Sequence, residues 1–264
     1  MMKKYIIALI STFLYADTTS IVVENDALIG KDNHYTNGFY YTWMSENNSN
    51  YIDMLPFIDL PQKNVAFSLS HAVFTPKNKD LRAKDLNDLP YAGYLDFNFL
   101  AYKSSPNYFH ELGINIGIVG DAAQADWFQK RFHDSIGHDK PNGWDNQLSN
   151  HFIYGISYKI GYKTDPVDIY DLKLDLTTNL EGDIGNFYSG ALVGAALRLS
   201  SISLDSFNTA GKFIGTNESL LLNYKEIEKF NYSLSFGLFY NKFNRYYLVD
   251  KAIDEGYNKL KSQP

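Results

Sequence analysis

The strongest constraint on the fold is a strict two-residue alternation in residues 152–163, which read FIYGISYKIGYK. One set of alternate positions is large and apolar throughout, and the other set is glycine, serine, lysine and a single isoleucine. The large positions are Phe152, Tyr154, Ile156, Tyr158, Ile160 and Tyr162. A period of two predicts a β-strand and does not fit the spacing of a helix.

The same pattern recurs along the chain. Residues 231–241, NYSLSFGLFYN, again set aromatic and aliphatic side chains against asparagine, serine and glycine. Weaker candidates lie at about residues 20–26, 38–45, 65–75, 94–103, 111–120, 171–183, 190–200 and 218–225. Together these segments predict an all-β chain of ten strands.

The two faces of these strands separate a membrane barrel from a secreted β-sandwich. A sandwich in water turns its large side chains inward and presents lysine and glutamate to solvent. Here the smaller face is mainly glycine, serine and asparagine, and aromatic residues end the apolar face. Small and polar residues inside with large aromatics outside are typical of an outer-membrane barrel. We therefore predict a transmembrane, antiparallel, up-and-down β-barrel, with the sandwich as the alternative.

The N-terminus predicts export. Lys3 and Lys4 precede an apolar run that ends before Ala16, which is the arrangement of a secretory signal. We expect a signal peptide at residues 1–16 and a barrel domain at residues 17–264. No later apolar run approaches the roughly 20 residues of a spanning helix. The net charge of −6, without a basic run, argues against a nucleic-acid partner.

Residues suited to chemistry concentrate in three connections, at about residues 27–37, 76–93 and 121–151. In an up-and-down barrel the connections after strands 1, 3 and 5 share one rim. Within WFQKRFHDSIG, Gln129 and His133 are four apart, so a helical turn would set both on one face. Each motif also has a simpler interpretation: Asn25 with Asp26 as turn residues, Asn37-Gly38 as a tight turn, and His133 as a solvated loop histidine.

The ordered motifs ENDA…DNHYTNG, LPYAGYL and IVG…Q…H…G…GWDNQL resemble the lipid A 3'-O-deacylase (LpxR) family. The resemblance covers about residues 20–160, with weaker similarity to about residue 250. It implies a twelve-stranded outer-membrane barrel that hydrolyses the ester-linked 3'-acyloxyacyl group of lipid A with calcium (Ca²⁺) as cofactor. Family members continue through two further strands, so the resemblance also implies that this chain is shortened at its C-terminus.

The resemblance places the family's functional residues on this chain one by one. Its asparagine–aspartate pair matches Asn25 and Asp26, its threonine matches Thr36, its glutamine matches Gln129, and its histidine matches His133. The family lysine stays unassigned, because three lysines compete for it: Lys77, Lys79 and Lys84.

Ester hydrolysis by water needs a base with a pKa near neutrality. Histidine is the natural candidate, because an unperturbed imidazole has a pKa of about 6.5, and we therefore expect His133 to be the base. Calcium prefers carboxylate, amide and backbone carbonyl oxygens, which we expect Asp26 to supply with the help of Asn25 or of nearby backbone carbonyls. Thr36 and Gln129 would orient water or substrate.

The second connection contains three basic side chains, Lys79, Arg82 and Lys84. They are candidates for binding the phosphates of lipid A. The alternative is that they form a solvated face of the loop. The expected partner is lipopolysaccharide in the outer membrane of a Gram-negative cell, and we expect a monomer. The competing function is a barrel without catalysis, either a small porin or a surface-binding protein.

Overall fold

The structure is a computed structural model, and it describes residues 18–25, 34–45, 59–78, 81–137, 140–204, 206–207 and 232–257. The predicted signal peptide, Asp26, Lys79 and the strand predicted at about residues 218–225 lie outside these ranges. Among the described residues, no helix is both long and apolar enough to cross a membrane.

The described chain forms ten strands and two α-helices. The strands are β1 (Thr18–Asn25), β2 (His34–Met44), β3 (Gln62–Thr75), β4 (Ala92–Ser104), β5 (Tyr108–Val119), β6 (His151–Lys163), β7 (Val167–Ile169), β8 (Leu172–Gly185), β9 (Tyr188–Ser200) and β10 (Ser233–Tyr246). The helices are α1 (Ala125–Ile136) and α2 (Tyr247–Asp254). Short 3-10 turns at Asp121–Ala123 and Trp144–Asn146 flank α1.

All the strands join one antiparallel sheet, in which each long strand pairs with the next long strand along the chain. β7 has only three residues and pairs with β8 alone. The predicted up-and-down architecture is therefore confirmed, and nine of the ten predicted strands are observed. Within the described ranges, β1 and β10 are the two edges of the sheet.

The two faces of the sheet are the reverse of those in a water-soluble protein. Outward-facing side chains are apolar and exposed, as at Phe99, Tyr154 and Leu238. Charged side chains turn inward and are buried, as at Lys159, whose Nζ lies 3.0 Å from Glu181 Oε2. Burying charges while exposing aromatics costs free energy in water, and this arrangement becomes favourable when the outer face contacts lipid.

The alternating direction of the strands places successive connections at opposite ends of the sheet, which we call its rims. Because the strands alternate up and down, the C-terminal ends of β1, β3 and β5 lie at one end of the sheet, as predicted. We call this end the α1 rim, because α1 lies in the connection after β5. α2 follows β10 and lies at the same rim.

α2 covers the interior of the sheet at the α1 rim, a feature that the sequence pattern does not predict. Its buried Tyr247 and Leu248 join an apolar cluster with the inward-facing Phe74 and Tyr94. The ring of Tyr247 also stacks on His151, with ring centroids 4.5 Å apart. Below this apolar layer the interior is polar and keeps a cavity of about 60 Å³.

Candidate functional site

α1 presents one buried face. The buried side chains Ala125, Gln129 and His133 follow each other at intervals of four, which places them in one row along the helix. The helix ends at Ile136 and is capped by Gly137, which has a φ of 71° and donates its N–H to the carbonyl of His133. The predicted helical turn that sets Gln129 and His133 on one face is thus observed.

The buried face of α1 begins on the outer surface of the sheet. Val73 faces outward on β3, because it alternates with the inward-facing Ala72, and it packs in one buried apolar cluster with Ala125. The first turn comes close to β4 because position 93 is glycine. A Cβ at Gly93 would lie 2.8 Å from the Cβ of Ala125 and 3.0 Å from that of Ala123. The start of α1 therefore rests on the outer wall and does not enter the lumen.

Gln129 is completely buried, and one end of its amide group is held. The indole Nε1 of Trp144 donates a hydrogen bond of 2.9 Å to Gln129 Oε1. The Trp144 ring in turn packs on Tyr91, with centroids 4.8 Å apart. Because an indole N–H only donates, this bond fixes which end of the amide is the oxygen. The Nε2 of Gln129 has no hydrogen-bond partner among the described residues.

Four positions on neighbouring strands form a continuous row beside the start of α1. In strand register, Gly93 lies opposite Val73, Val73 opposite Asn37, and Asn37 opposite Asn25. Residues directly opposite each other on antiparallel strands share a face. Asn37 therefore faces outward beside Val73, and the row continues beyond the first turn of the helix to Asn25.

Asn37 is buried, and its Oδ1 has no hydrogen-bond partner among the described residues. The interpretation of Asn37-Gly38 as a tight turn is wrong, because both residues lie inside β2. The strand starts at His34 and includes a register shift between Tyr35 and Asn37. Such a bulge re-aims side chains at a strand end, and sequence alone gives no sign of it here.

Thr36 lies at that bulge and is buried. Its Oγ1 lies 2.6 Å from Oγ1 of Thr75, at the rim end of β3, and either hydroxyl can donate. Thr75 is two residues beyond Val73 on the same face of β3. The structure thus places Thr36 on the outer wall, at the same rim as Gln129 and His133.

The structure describes less of the predicted site residues Asn25, Asp26 and Lys79. Asn25 ends β1 opposite Asn37, and only its backbone is described. Asp26 and Lys79 fall outside the described residues. Among the described residues, no group of three or more His, Cys, Asp or Glu side chains is arranged to hold a metal ion.

Arg82 and Lys84 are exposed in the connection between β3 and β4. The carbonyl of Arg82 accepts a hydrogen bond of 2.5 Å from Asn146, and the Nζ of Lys84 lies 5.5 Å above the ring of Tyr257. Lys77, which is another candidate for the family lysine, is also exposed, and its backbone N–H donates to a carboxylate oxygen of Asp88 at 2.7 Å. These basic residues therefore lie at the α1 rim, on a loop fixed to its neighbours.

Comparison with known proteins gives two matches. A sequence model described as "Outer membrane protein LpxR" matches residues 5–263. Among solved structures, LpxR from Salmonella typhimurium superimposes with a TM-score of 0.70 at 18% sequence identity, covering 88% of this chain and 78% of that chain. At that identity the likeness establishes the fold, a barrel of the same architecture. A search of curated protein sequences found no match.

Proposed function

Since the match spans nearly its whole length, this chain belongs to the family of the outer membrane protein LpxR, and we propose that it hydrolyses the ester that joins the 3'-acyloxyacyl group to lipid A. The observation that supports this best is the position of α1 against the outer wall. A lipid in the outer leaflet reaches that surface from the side, without entering the barrel.

His133 is the base in this proposal. It takes a proton from a water molecule, and the hydroxide attacks the carbonyl carbon of the ester. The tetrahedral intermediate then collapses, and the bond to the sugar oxygen breaks. That oxygen receives the proton from His133, which restores the neutral imidazole, and the acyloxyacyl group leaves as a carboxylic acid. General-base catalysis of this kind contributes about 10²–10⁴-fold to a rate.

Gln129 is suited to stabilise the negative charge that develops on the carbonyl oxygen. Trp144 occupies its Oε1, which leaves the buried Nε2 without a described partner and able to donate. A donor that is already fixed in place stabilises an oxyanion without reorganisation. Thr36, paired with Thr75, supplies a hydroxyl to orient the water or the substrate.

One oxygen among the described residues is suited to a calcium ion. A buried amide oxygen without a partner, Asn37 Oδ1, lies opposite Asn25, and Asp26 follows Asn25 in the sequence. Hard cations prefer such amide and carboxylate oxygens. We propose that Asp26 and Asn25 hold the ion, which when bound polarises the ester carbonyl.

Arg82, Lys84 and Lys79 are proposed to meet the phosphates of lipid A. Arg82 and Lys84 are exposed at the α1 rim. Cationic side chains at this level lie beside the headgroup region, and an arginine guanidinium pairs well with phosphate.

The competing proposal of a small porin is less well supported. A porin needs an open lumen, and here α2 covers the interior at one rim with buried apolar side chains. A barrel that only binds a partner at its surface would still fit this shape. The proposed hydrolase and the surface-binding protein therefore have to be separated by an assay of the lipid.

The test is mass spectrometry of lipid A from cells with and without this chain. The expected result is lipid A that has lost two acyl chains as one ester-linked unit. His133→Ala and Asp26→Ala should each abolish this loss, and chelation of calcium should suppress it in the parent. His110→Ala is a matched control, because His110 is on β5 and bonds to Tyr158 on the barrel wall.

Two outcomes would contradict the proposal. If His133→Ala retains a rate within about tenfold of the parent, general-base catalysis by this residue is excluded. Full activity in the presence of chelator would exclude calcium. Because both groups act on one transition state, the double variant should be hardly worse than either single variant. Equal barrel abundance for all variants shows that the losses are not failures of assembly.

A further inference from the structure

α1 has exposed aromatic side chains that the proposed reaction does not use. Phe128 and Phe132 are 37% and 40% exposed and lie one turn apart on one edge of the helix. The opposite edge is polar, with Lys130 Nζ 3.3 Å from Asp126 Oδ2. The exposed surface of the helix therefore also has two unlike edges. One edge is aromatic and the other carries an ion pair, and the buried face lies between them.

Contacts with the wall show which edge points toward the middle of the membrane. The ring of Phe128 meets His71 edge-on, with centroids 5.2 Å apart. His71 precedes Val73 on β3, and that strand runs toward the α1 rim, so His71 lies farther from the rim. The Phe128–Phe132 edge therefore faces away from the rim, along the wall.

The wall in that direction is the lipid-facing belt. On β3, the outward-facing residues before His71 are Leu69 and Phe67. Across the sheet, His71 is in register with Leu95, and that row continues through Ile118 to Phe152, which is 59% exposed. An apolar surface thus runs without a break from the barrel wall onto α1.

We propose that α1 is an interfacial helix whose Phe128–Phe132 edge lies among the acyl chains of the membrane leaflet that surrounds the barrel at the α1 rim. The occupant of this surface is lipid, because the belt with which it is continuous faces lipid in an outer-membrane protein. Amphipathic helices of this kind bury their apolar side about 5–10 Å deep at the boundary between headgroups and acyl chains. This placement stands whether or not the chain cleaves an ester.

Trp127 and Arg131 lie at the headgroup level in this arrangement. The Arg131 guanidinium is 6.0 Å from the centre of the Trp127 ring, and both side chains point away from the wall. Tryptophan is enriched at membrane interfaces, and arginine keeps its charge in the headgroup region while its stem lies along apolar surface. The buried face with Gln129 and His133 is then held at the depth where acyl esters join the headgroup.

The chain contains no cysteine, so single cysteines can be placed without removing any. Phe132→Cys and Lys130→Cys carry a nitroxide spin label on opposite edges of α1. Phe99→Cys reports the belt, because Phe99 is 53% exposed on the barrel wall. Each variant is inserted into vesicles of phosphatidylcholine and phosphatidylglycerol. Collision of the label with oxygen, which dissolves in lipid, is compared with collision with a water-soluble nickel complex.

We expect the label at position 132 to favour oxygen over the nickel complex, though less strongly than the label at position 99, which lies farther from the α1 rim. The label at position 130 should favour the nickel complex. Equal nickel access at positions 130 and 132 would overturn the proposal, because it would place the Phe128–Phe132 edge in water. Low access of both oxygen and nickel at position 132 would also overturn it, because it would place that edge against another protein. A second measurement uses Phe132→Ser. It should slow deacylation of lipid A in vesicles while leaving the rate on lipid A in detergent micelles unchanged. If neither substrate is cleaved by the parent, the proposed hydrolysis fails and the labels still decide the placement of α1.

Discussion

A methyl group added at Gly93 should push α1 off the barrel wall. Its Cβ would lie 2.8 Å and 3.0 Å from the Cβ atoms of Ala125 and Ala123. Ordinary carbon contacts are about 3.5–4.0 Å, so the first turn must move outward by about 1 Å. Over-packing of this size lowers the free energy of unfolding by about 1–3 kcal/mol. A displacement of about 1 Å at a catalytic group lowers a rate by about 10²-fold.

The assay for Gly93→Ala is urea unfolding in phosphatidylcholine vesicles, with the deacylation rate measured on the same preparation. Gly182→Ala is the matched control, because a Cβ at Gly182 meets no described atom within 4 Å. We expect the control to behave as the parent in both measurements. If Gly93→Ala also unfolds and reacts like the parent, α1 does not rest on the wall at this position, and the geometry proposed for the site is wrong.

Trp144→Phe keeps an aromatic ring but removes the hydrogen bond to Gln129. We expect kcat for deacylation to fall about 2- to 10-fold with KM nearly unchanged. An unchanged kcat would show that this bond does not position the Gln129 amide for the reaction. Arg198 is fully buried and donates to both carboxylate oxygens of Asp175 at 2.7 Å. Arg198→Met should therefore lower the free energy of unfolding by about 3–5 kcal/mol in urea titrations, and adding Asp175→Leu should restore most of it. Burial and nearby carboxylates raise the pKa of Tyr257 to about 12, so the folded state favours the neutral phenol. Its contribution to stability is complete below pH 10 and is lost as the pH rises toward 12, and Tyr257→Phe should remove that part of the unfolding profile measured against pH.

The sequence was sufficient to predict the strands and the faces of the sheet. Alternation of side chains is a local property, and nine of the ten predicted strands are present with their apolar side chains outward. The spacing of Gln129 and His133 likewise predicted that both lie on one face of a helix, whereas the burial of that face is known only from the structure. β7 and α2 were missed because segments of three and eight residues are too short for a periodic signal. The roles predicted for Asp26 and Lys79 stay predictions, because both lie outside the described residues.

Tertiary structure alone decided that the candidate site lies on the outer wall of the sheet. Asn25, Asn37, Val73 and Gly93 come from four separate strands and form one row only through their register. A sequence shows which face of a strand a residue occupies, but not which residue lies opposite it. For the same reason, the orphaned amide oxygen of Asn37 could not be recognised from the sequence, where it reads as part of a turn. Hydrogen bonds between distant segments, such as that from Trp144 to Gln129, exist only once long-range packing has brought the segments together.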